Sequence, residues 1–245
     1  MRRFALLCLG VLALPPPPAI AGIGCRIAPE AARLGVAMET LTERRRAGQP
    51  ITIVLIGSAL PETRNDTAES GGAAYLREAL TKHWPEANIT VLARSLPGYR
   101  AADLLDSTVA AIKPLDPALI VWQAGGAAAA HDTGIERLRD DLVTGLDRLR
   151  EAGADIVLAD LQFVRRWEQH PRYQAYLGVI RDVAEQEGVG LFRRYDLMKS
   201  LVKRNALTAL QATGVEEVPL LDPTRCIAEA LASAIASGNA VADTQ

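Results

Sequence analysis

Apolar residues along this chain follow two different spacings. Short unbroken runs such as "ITIVLI" (Ile51 to Ile56) and "ALIVWQA" (Ala118 to Ala124) have the continuous apolar character of strands covered on both faces. In "IERLRDDLVTGLDRLR", by contrast, Ile135, Leu138, Leu142, Leu146 and Leu149 recur at three- and four-residue steps with charges between them, which places them on one stripe of a helix. Reading the whole chain this way predicts strands over 51–56, 88–93, 118–123, 155–160 and 189–192. Helices are predicted over 30–47, 72–83, 101–113, 133–151, 173–186, 194–204 (with a second short one to Ala212) and 224–236. Strand–helix alternation repeated five times implies one parallel sheet with helices on both faces. Such sheets take ligands at the carboxyl ends of their strands, so the turns after Ile56, Ala93, Gln123 and Asp160 are where chemistry is expected.

The first residues break this pattern. A basic start, Arg2 and Arg3, precedes the apolar run Phe4 to Leu14 and a "PPPPAIA" segment with small residues at Ala19 and Ala21. This is the layout of a secretory signal peptide, expected to end after Ala21, and the run is too short to anchor a mature chain in a bilayer. The expected organisation is a signal peptide over 1–21, an N-terminal arm and helix over 22–49, a domain over 50–237 and a flexible tail over 238–245. The protein is then expected to be exported, periplasmic or secreted. Lipidation of Cys25 is not expected, because Gly22 stands where an apolar residue is needed. No later segment reads as membrane-spanning.

Loss of Arg2 and Arg3 leaves 25 basic residues against 29 acidic ones, a net charge of −4. With no basic stripe carrying interleaved aromatics, nucleic-acid binding is not expected. Removal of Cys8 leaves Cys25 and Cys226 near opposite ends of the mature chain. In an exported protein such an even pair is expected to form a disulfide, the other reading being two unconnected buried thiols.

Four blocks at the strand ends carry a resemblance: "IVLIGSA", "ITVLARSLPGYRAADLL", "DPALIVWQAGGAAAAHD" and "LLDPTRCIAEALASAI". In order and spacing they are similar to the sequence blocks of the SGNH (GDSL-type) hydrolases, over about Pro50 to Ser237. They come nearest the exported bacterial branch whose third block reads "WQxGTN". The resemblance implies a flavodoxin-like α/β/α sandwich with a five-stranded parallel sheet, and a family that hydrolyses acyl and carbohydrate esters. Its chemistry uses a serine nucleophile after the first strand and a histidine base near the C-terminus, held by an aspartate three residues earlier. The serine amide, a second-block glycine amide and a third-block asparagine amide stabilise the oxyanion.

Position by position, this chain departs from that set. Gly57 and Ser58 fill the first two places of the first block, and Ala59 stands in the nucleophile's place. Gly98 keeps the second-block glycine. Gly125 and Gly126 are followed by Ala127 in the asparagine place. Asp222 is kept, but Arg225 stands in the histidine place. Alanine has no hydroxyl to attack with, and arginine stays protonated and cannot serve as a base near neutral pH. The expectation is a catalytically inactive member that binds a ligand or partner in the cell envelope, with Asp222 and Arg225 paired and partly exposed at the sheet edge. The alternative is an active esterase or acyltransferase on lipid or polysaccharide esters, rebuilt around Ser58 with a rim histidine, His131 or His170, as base.

Other readings of those residues are plainer. Ser58 bonds its own turn, and His131 starts a helix that Asp132 caps. His170 follows the fourth strand, and His83 lies at the end of a helix away from the rim. The loop "LQFVRRWEQHPRYQAY" after the fourth strand gathers Arg165, Arg166, Trp167, His170, Arg172 and Tyr173. Arg165, Arg166 and Trp167 suit a sugar, a carboxylate or a protein partner, and equally a solvated loop with one tryptophan packed down. No cofactor is expected, and the scattered histidines and cysteines make no metal-ligand set. "GGAAAA" lacks the lysine and hydroxyl of a phosphate loop and serves more simply for close packing.

Overall fold

The structure, a computed structural model, describes residues 25, 33–57, 71–94, 105–211 and 222–242, with backbone alone at 105–107, 206–211 and 239–242. Five strands form one parallel sheet: β1 (Ile51–Ile56), β2 (Ile89–Arg94), β3 (Leu119–Gln123), β4 (Asp155–Ala159) and β5 (Gly190–Phe192). Their order is β2-β1-β3-β4-β5, with Ile53 of β1 paired to Val91 on one side and Leu119 on the other. This is the flavodoxin-like order, in which the chain leaves β1 in opposite directions and opens a crevice at the carboxyl ends of β1 and β3.

The continuous apolar strands are explained by the two cores they divide. On one face Ile51, Ile53, Leu55, Leu119 and Val121 pack with α1 (Glu39–Arg46), α2 (Gly72–His83), α7 (Arg194–Gln211) and α8 (Pro223–Ala242). On the other, Val54, Ile56, Ile120, Trp122 and Leu158 pack with α3 (Leu105–Ile112), α4 (Gly126–His131), α5 (Ile135–Arg150) and α6 (Pro171–Gln186). The result is a three-layer α/β/α sandwich.

Several boundaries differ from expectation. The first helix begins at Glu39, and the preceding residues 33–38 are irregular, because Gly35 takes a φ of +83° and the arm runs along the sheet edge instead. The Leu191 amide donates to the Leu34 carbonyl at 2.9 Å, so the arm covers the open side of β5. Leu34, Met38 and Leu41 are buried in the first core, so this segment is integral to the domain rather than an appendage. The last helix runs on to Ala242 rather than stopping at Ala236. Gly238 lets it lie against the arm, where an added Cβ would sit 3.4 Å from the Val36 carbonyl. The seventh helix is continuous from Arg194 to Gln211. Ile135 is 39% exposed, because it opens α5 and the buried stripe begins only at Leu138.

The amino end of α1 has no cap of its own, and Asp155 at the start of β4 supplies one. Its carboxylate accepts from the Thr40 and Leu41 amides at 3.3 and 2.9 Å. The expected disulfide is present: Cys25 and Cys226 are joined across a sequence separation of 201, with Cys226 fully buried.

Gly145 fixes how α5 seats on the sheet. A Cβ there would run into Cη2 of Trp122, a buried β3 side chain. Gly145→Ala would gain up to about 1 kcal/mol of helix propensity, but overpacking costs about 1–3 kcal/mol. A net fall in the thermal midpoint is expected, and an unchanged or raised midpoint would disprove this seating.

Candidate ligand-binding rim at the carboxyl edge of the sheet

The carboxyl ends of β1 and β3 approach each other closely. Gly57 follows β1 with a φ of +75°, and a Cβ on it would come within 2.6 Å of the Gln123 carbonyl oxygen. Only glycine meets both demands, so the first-block glycine has a backbone reason that is independent of catalysis. Ser58, Ala59 and Gly98 lie outside the described residues, and with them any Ser58–His131 geometry.

After β3, Gly125 turns with a φ of +85° directly against Ile180 of α6 and leads into α4. Ala127 stands half-buried in its first turn, and its methyl offers no donor. His131 does not start a helix; it is the exposed last residue of α4, and Asp132 follows in the left-handed region at φ +53°. Asp132 caps no helix with its side chain. Its carboxylate accepts from Arg172 at 2.9 Å and from the Tyr176 hydroxyl at 3.2 Å, and that hydroxyl accepts from the Gly134 amide at 2.7 Å. This network fastens the α4–α5 turn to α6.

At the start of α8 the expected Asp222–Arg225 ion pair does not form. The Asp222 carboxylate caps the helix, accepting from the amides of Thr224 at 2.9 Å and Arg225 at 3.4 Å. The Arg225 guanidinium turns instead to Glu78 on α2, with contacts of 3.1 and 3.2 Å, and lies over the Tyr75 ring at 4.3 Å. Its side chain is 39% exposed, as anticipated, but its charge ties α8 to α2. Hydrogen bonds from Lys82 and then from Arg225 hold the Glu78 carboxyl below its ordinary value.

The loop after β4 forms the other rim. A short 3₁₀ turn carries Arg165, Arg166 and Trp167. The half-buried Trp167 ring leans on Tyr173 with centroids 5.1 Å apart, and the Arg166 guanidinium lies 4.7 Å above the indole. Tyr173 donates to the Gln162 carbonyl at 2.6 Å, and burial pushes its hydroxyl up to about 12. A small cleft here is lined by Ala129, Ala130, Trp167, His170, Arg172 and Tyr173. It therefore joins α4 to the loop the sequence marked.

The sequence matches a single family model over residues 24–241. The chain belongs to the Non-GDSL lipase-like family. No curated protein is matched by sequence. Among solved structures it is similar to a GDSL-like lipase candidate from Parabacteroides merdae, with a TM-score of 0.61 and 15% identity over 83% of this chain and 98% of that one. It is similar also to Axe2, an acetylxylan esterase from Geobacillus stearothermophilus, with a TM-score of 0.58 and 17% identity over 74% and 91% of the two chains. A third likeness is to TesA, with a TM-score of 0.54 and 20% identity over 73% and 94%. At these identities the likeness establishes a shared SGNH-type fold.

In this member of the Non-GDSL lipase-like family, the most heavily buried charges among the described residues lie one strand away from the β1–β3 crevice. Asp160, at the end of β4, is fully buried and accepts from Arg181 Nη2 at 2.7 Å, Arg181 Nε at 3.0 Å and the Tyr195 amide at 2.8 Å. Arg181 also reaches the exposed Asp196 at 3.0 Å. Arg194 is 3% exposed, and burial pulls it down to about 10 against the opposing charge of Asp160. Sequence reading marked the turn after Asp160 but missed these partners. The available signal was Arg181 itself, a charge set among Val179, Ile180 and Val183 on the buried side of α6. Among the described residues no three metal-ligating side chains converge, and no helix is long and apolar enough to cross a membrane.

Proposed function

We propose that this Non-GDSL lipase-like protein acts in the cell envelope by binding a ligand through the rim of the old esterase crevice, without hydrolysing esters. The observation that carries the reading is Arg225. It stands where the family resemblance places the general base, and its guanidinium is engaged by Glu78 and Tyr75 rather than by Asp222. A guanidinium neither accepts a proton nor hydrogen-bonds a hydroxyl as a base. Ala59 and Ala127, in the nucleophile and oxyanion places, support the same reading. Export is supported by the leader-like first residues and by the Cys25–Cys226 disulfide.

The test is hydrolysis of p-nitrophenyl acetate and of acetylated xylan by the purified chain, beside Ser58→Ala. Both proteins are expected to match the uncatalysed rate. Hydrolysis by the wild type that disappears in Ser58→Ala would replace this reading with that of an esterase rebuilt around Ser58.

A further inference from the structure

A groove of about 670 Å³ runs beside β5, between residues 33–36 of the arm and the second half of α6. It lies two strands beyond β3, away from the crevice and its rim. We infer that this groove is a second ligand site and that it takes a short peptide with free termini. The inference goes beyond the role assigned to the rim and does not depend on it.

Three arginines line the groove, and they differ in how far the protein itself satisfies them. Arg181, with 24% of its side chain exposed, is fixed by two acids. Its Nε and Nη2 donate to Asp160, and Nη2 reaches Asp196 as well. Its Nη1 carries two further N–H donors that meet no protein acceptor among the described residues. Arg193 is exposed and stands 3.9 Å from Asp196, a carboxylate that already receives Arg181. Arg33 is exposed and meets no acid among the described residues. The acids of the groove are on α6. Asp182 is held by Arg139 at 3.7 Å. Glu185 lies four residues after Arg181, where opposite charges on a helix ordinarily pair. Because Asp160 and Asp196 have taken Arg181, Glu185 has no cation within ion-pair distance among the described residues. Val36, Val189 and Leu191, all half-buried, make the apolar part of the lining.

Simpler ligands leave one of these groups without a partner. An inorganic anion suits the guanidinium groups but is repelled by Glu185, and a simple amine has the opposite fault. A neutral apolar molecule would cover the Arg181 Nη1 donors without accepting from them, which costs free energy. A peptide supplies a carboxylate for the guanidinium groups, an ammonium for Glu185 and side chains for the apolar lining. The spacing also sets a length. Arg181 and Glu185 are one helical turn apart, about 5–6 Å between Cβ atoms. A free amino acid carries both charges on one carbon and is too short to reach from one to the other. Two extended residues span roughly 7 Å, so a dipeptide is the shortest chain that satisfies both ends.

Isothermal titration calorimetry of the full chain with leucyl-leucine tests this, beside N-acetyl-leucyl-leucine and leucyl-leucine amide, each of which lacks one terminal charge. Saturable binding of leucyl-leucine is expected, weakening as salt rises, with either blocked form bound roughly tenfold more weakly. Glu185→Gln, an exposed change, should weaken leucyl-leucine roughly tenfold and the N-acetylated form no further, because that form has no ammonium to lose. Arg193→Gln should weaken leucyl-leucine and leave the amide as it was. Circular dichroism checks the fold of both variants. No saturable binding by the wild type, equal binding of either blocked form, or unchanged affinity for leucyl-leucine in Glu185→Gln would each overturn the proposal. So would a Glu185→Gln variant that weakens the N-acetylated form as much as the free peptide. Ester hydrolysis enters none of these measurements, so the outcome stands whichever way the test of the functional reading falls.

Discussion

Asp160→Ala should be the most damaging single substitution at the carboxyl edge of the sheet, lowering the unfolding free energy by about 3–5 kcal/mol. Asp160 has no exposed surface, and its carboxylate is the buried acceptor that Arg181 and the Tyr195 amide share. A buried ion pair adds little net stability over a well-packed apolar pair, because desolvating both charges cancels most of their attraction. Removing the whole carboxyl is different, because it takes away the acceptor of three hydrogen bonds, which a protonated Asp160 still offers in part, and leaves the Tyr195 amide and Arg181 without their buried partner. Asp196→Ala supplies the contrast. Asp196 is 47% exposed and meets the same Arg181 at 3.0 Å, so its removal should cost under about 1 kcal/mol. Urea denaturation of the two variants measures the difference, and equal midpoints would show that the Asp160 cluster does not bear on stability.

The same carboxyl sets a pH dependence of definite sign. Burial pushes Asp160 above its ordinary value of 3.8, against the pull of the Tyr195 amide and Arg181. A carboxyl raised in this way binds its proton more tightly folded than unfolded. Its contribution to stability is therefore largest at low pH, declines as pH rises from 3.8 to the folded value, and is flat beyond. Asp160→Asn removes the titrating group, so its urea midpoint should lack that decline. A wild type whose midpoint rises with pH across that window, by an increment that Asp160→Asn abolishes, would reverse the assignment.

What the sequence could reveal was decided by the distance over which each feature is encoded. The strands were legible because burial on both faces writes a continuous apolar run, and β1 falls on the predicted Ile51–Ile56. The helices facing the second core were legible from their stripes, with errors at the ends. Ile135 has the right spacing but sits in a first turn beyond the core. The arm was misread because Glu30 to Ala47 has helical composition, and the positive φ at Gly35 with the Leu34–Leu191 bond is a tertiary choice. At the site, the family resemblance picked out Arg225 and Asp222 as a place but could not give their partners. Nothing local indicates that Glu78, 147 residues away, takes the guanidinium. Asp160 was hidden for the same reason, since Arg181 lies 21 residues on and the Tyr195 amide 35. The pairing of Cys25 with Cys226 was legible because, with two cysteines left beyond the leader-like segment, there was one pairing to choose.

That disulfide should carry the largest stabilisation of any single bond in the chain. Closing a loop with a sequence separation of 201 restricts the unfolded chain enough for roughly 5 kcal/mol on the chain-entropy model, less whatever the native geometry takes back. The comparison is between the oxidised wild type and Cys25→Ser/Cys226→Ser, or the same wild type under dithiothreitol, by urea denaturation. Where the loss originates is also predictable. Leu34, Met38 and Leu41 are buried by their own packing, and Leu34 accepts from Leu191 independently of the cysteines, so the arm has its own reasons to stay docked. The bridge therefore acts mainly on the unfolded ensemble. Hydrogen exchange at the Leu191 amide should then speed up only as far as the global stability falls, rather than opening on its own. If Leu191 exchanges freely in a serine variant whose β1 and β3 amides remain protected, the bridge is instead a clamp on the arm, and the edge of β5 is uncovered whenever the cysteines are reduced.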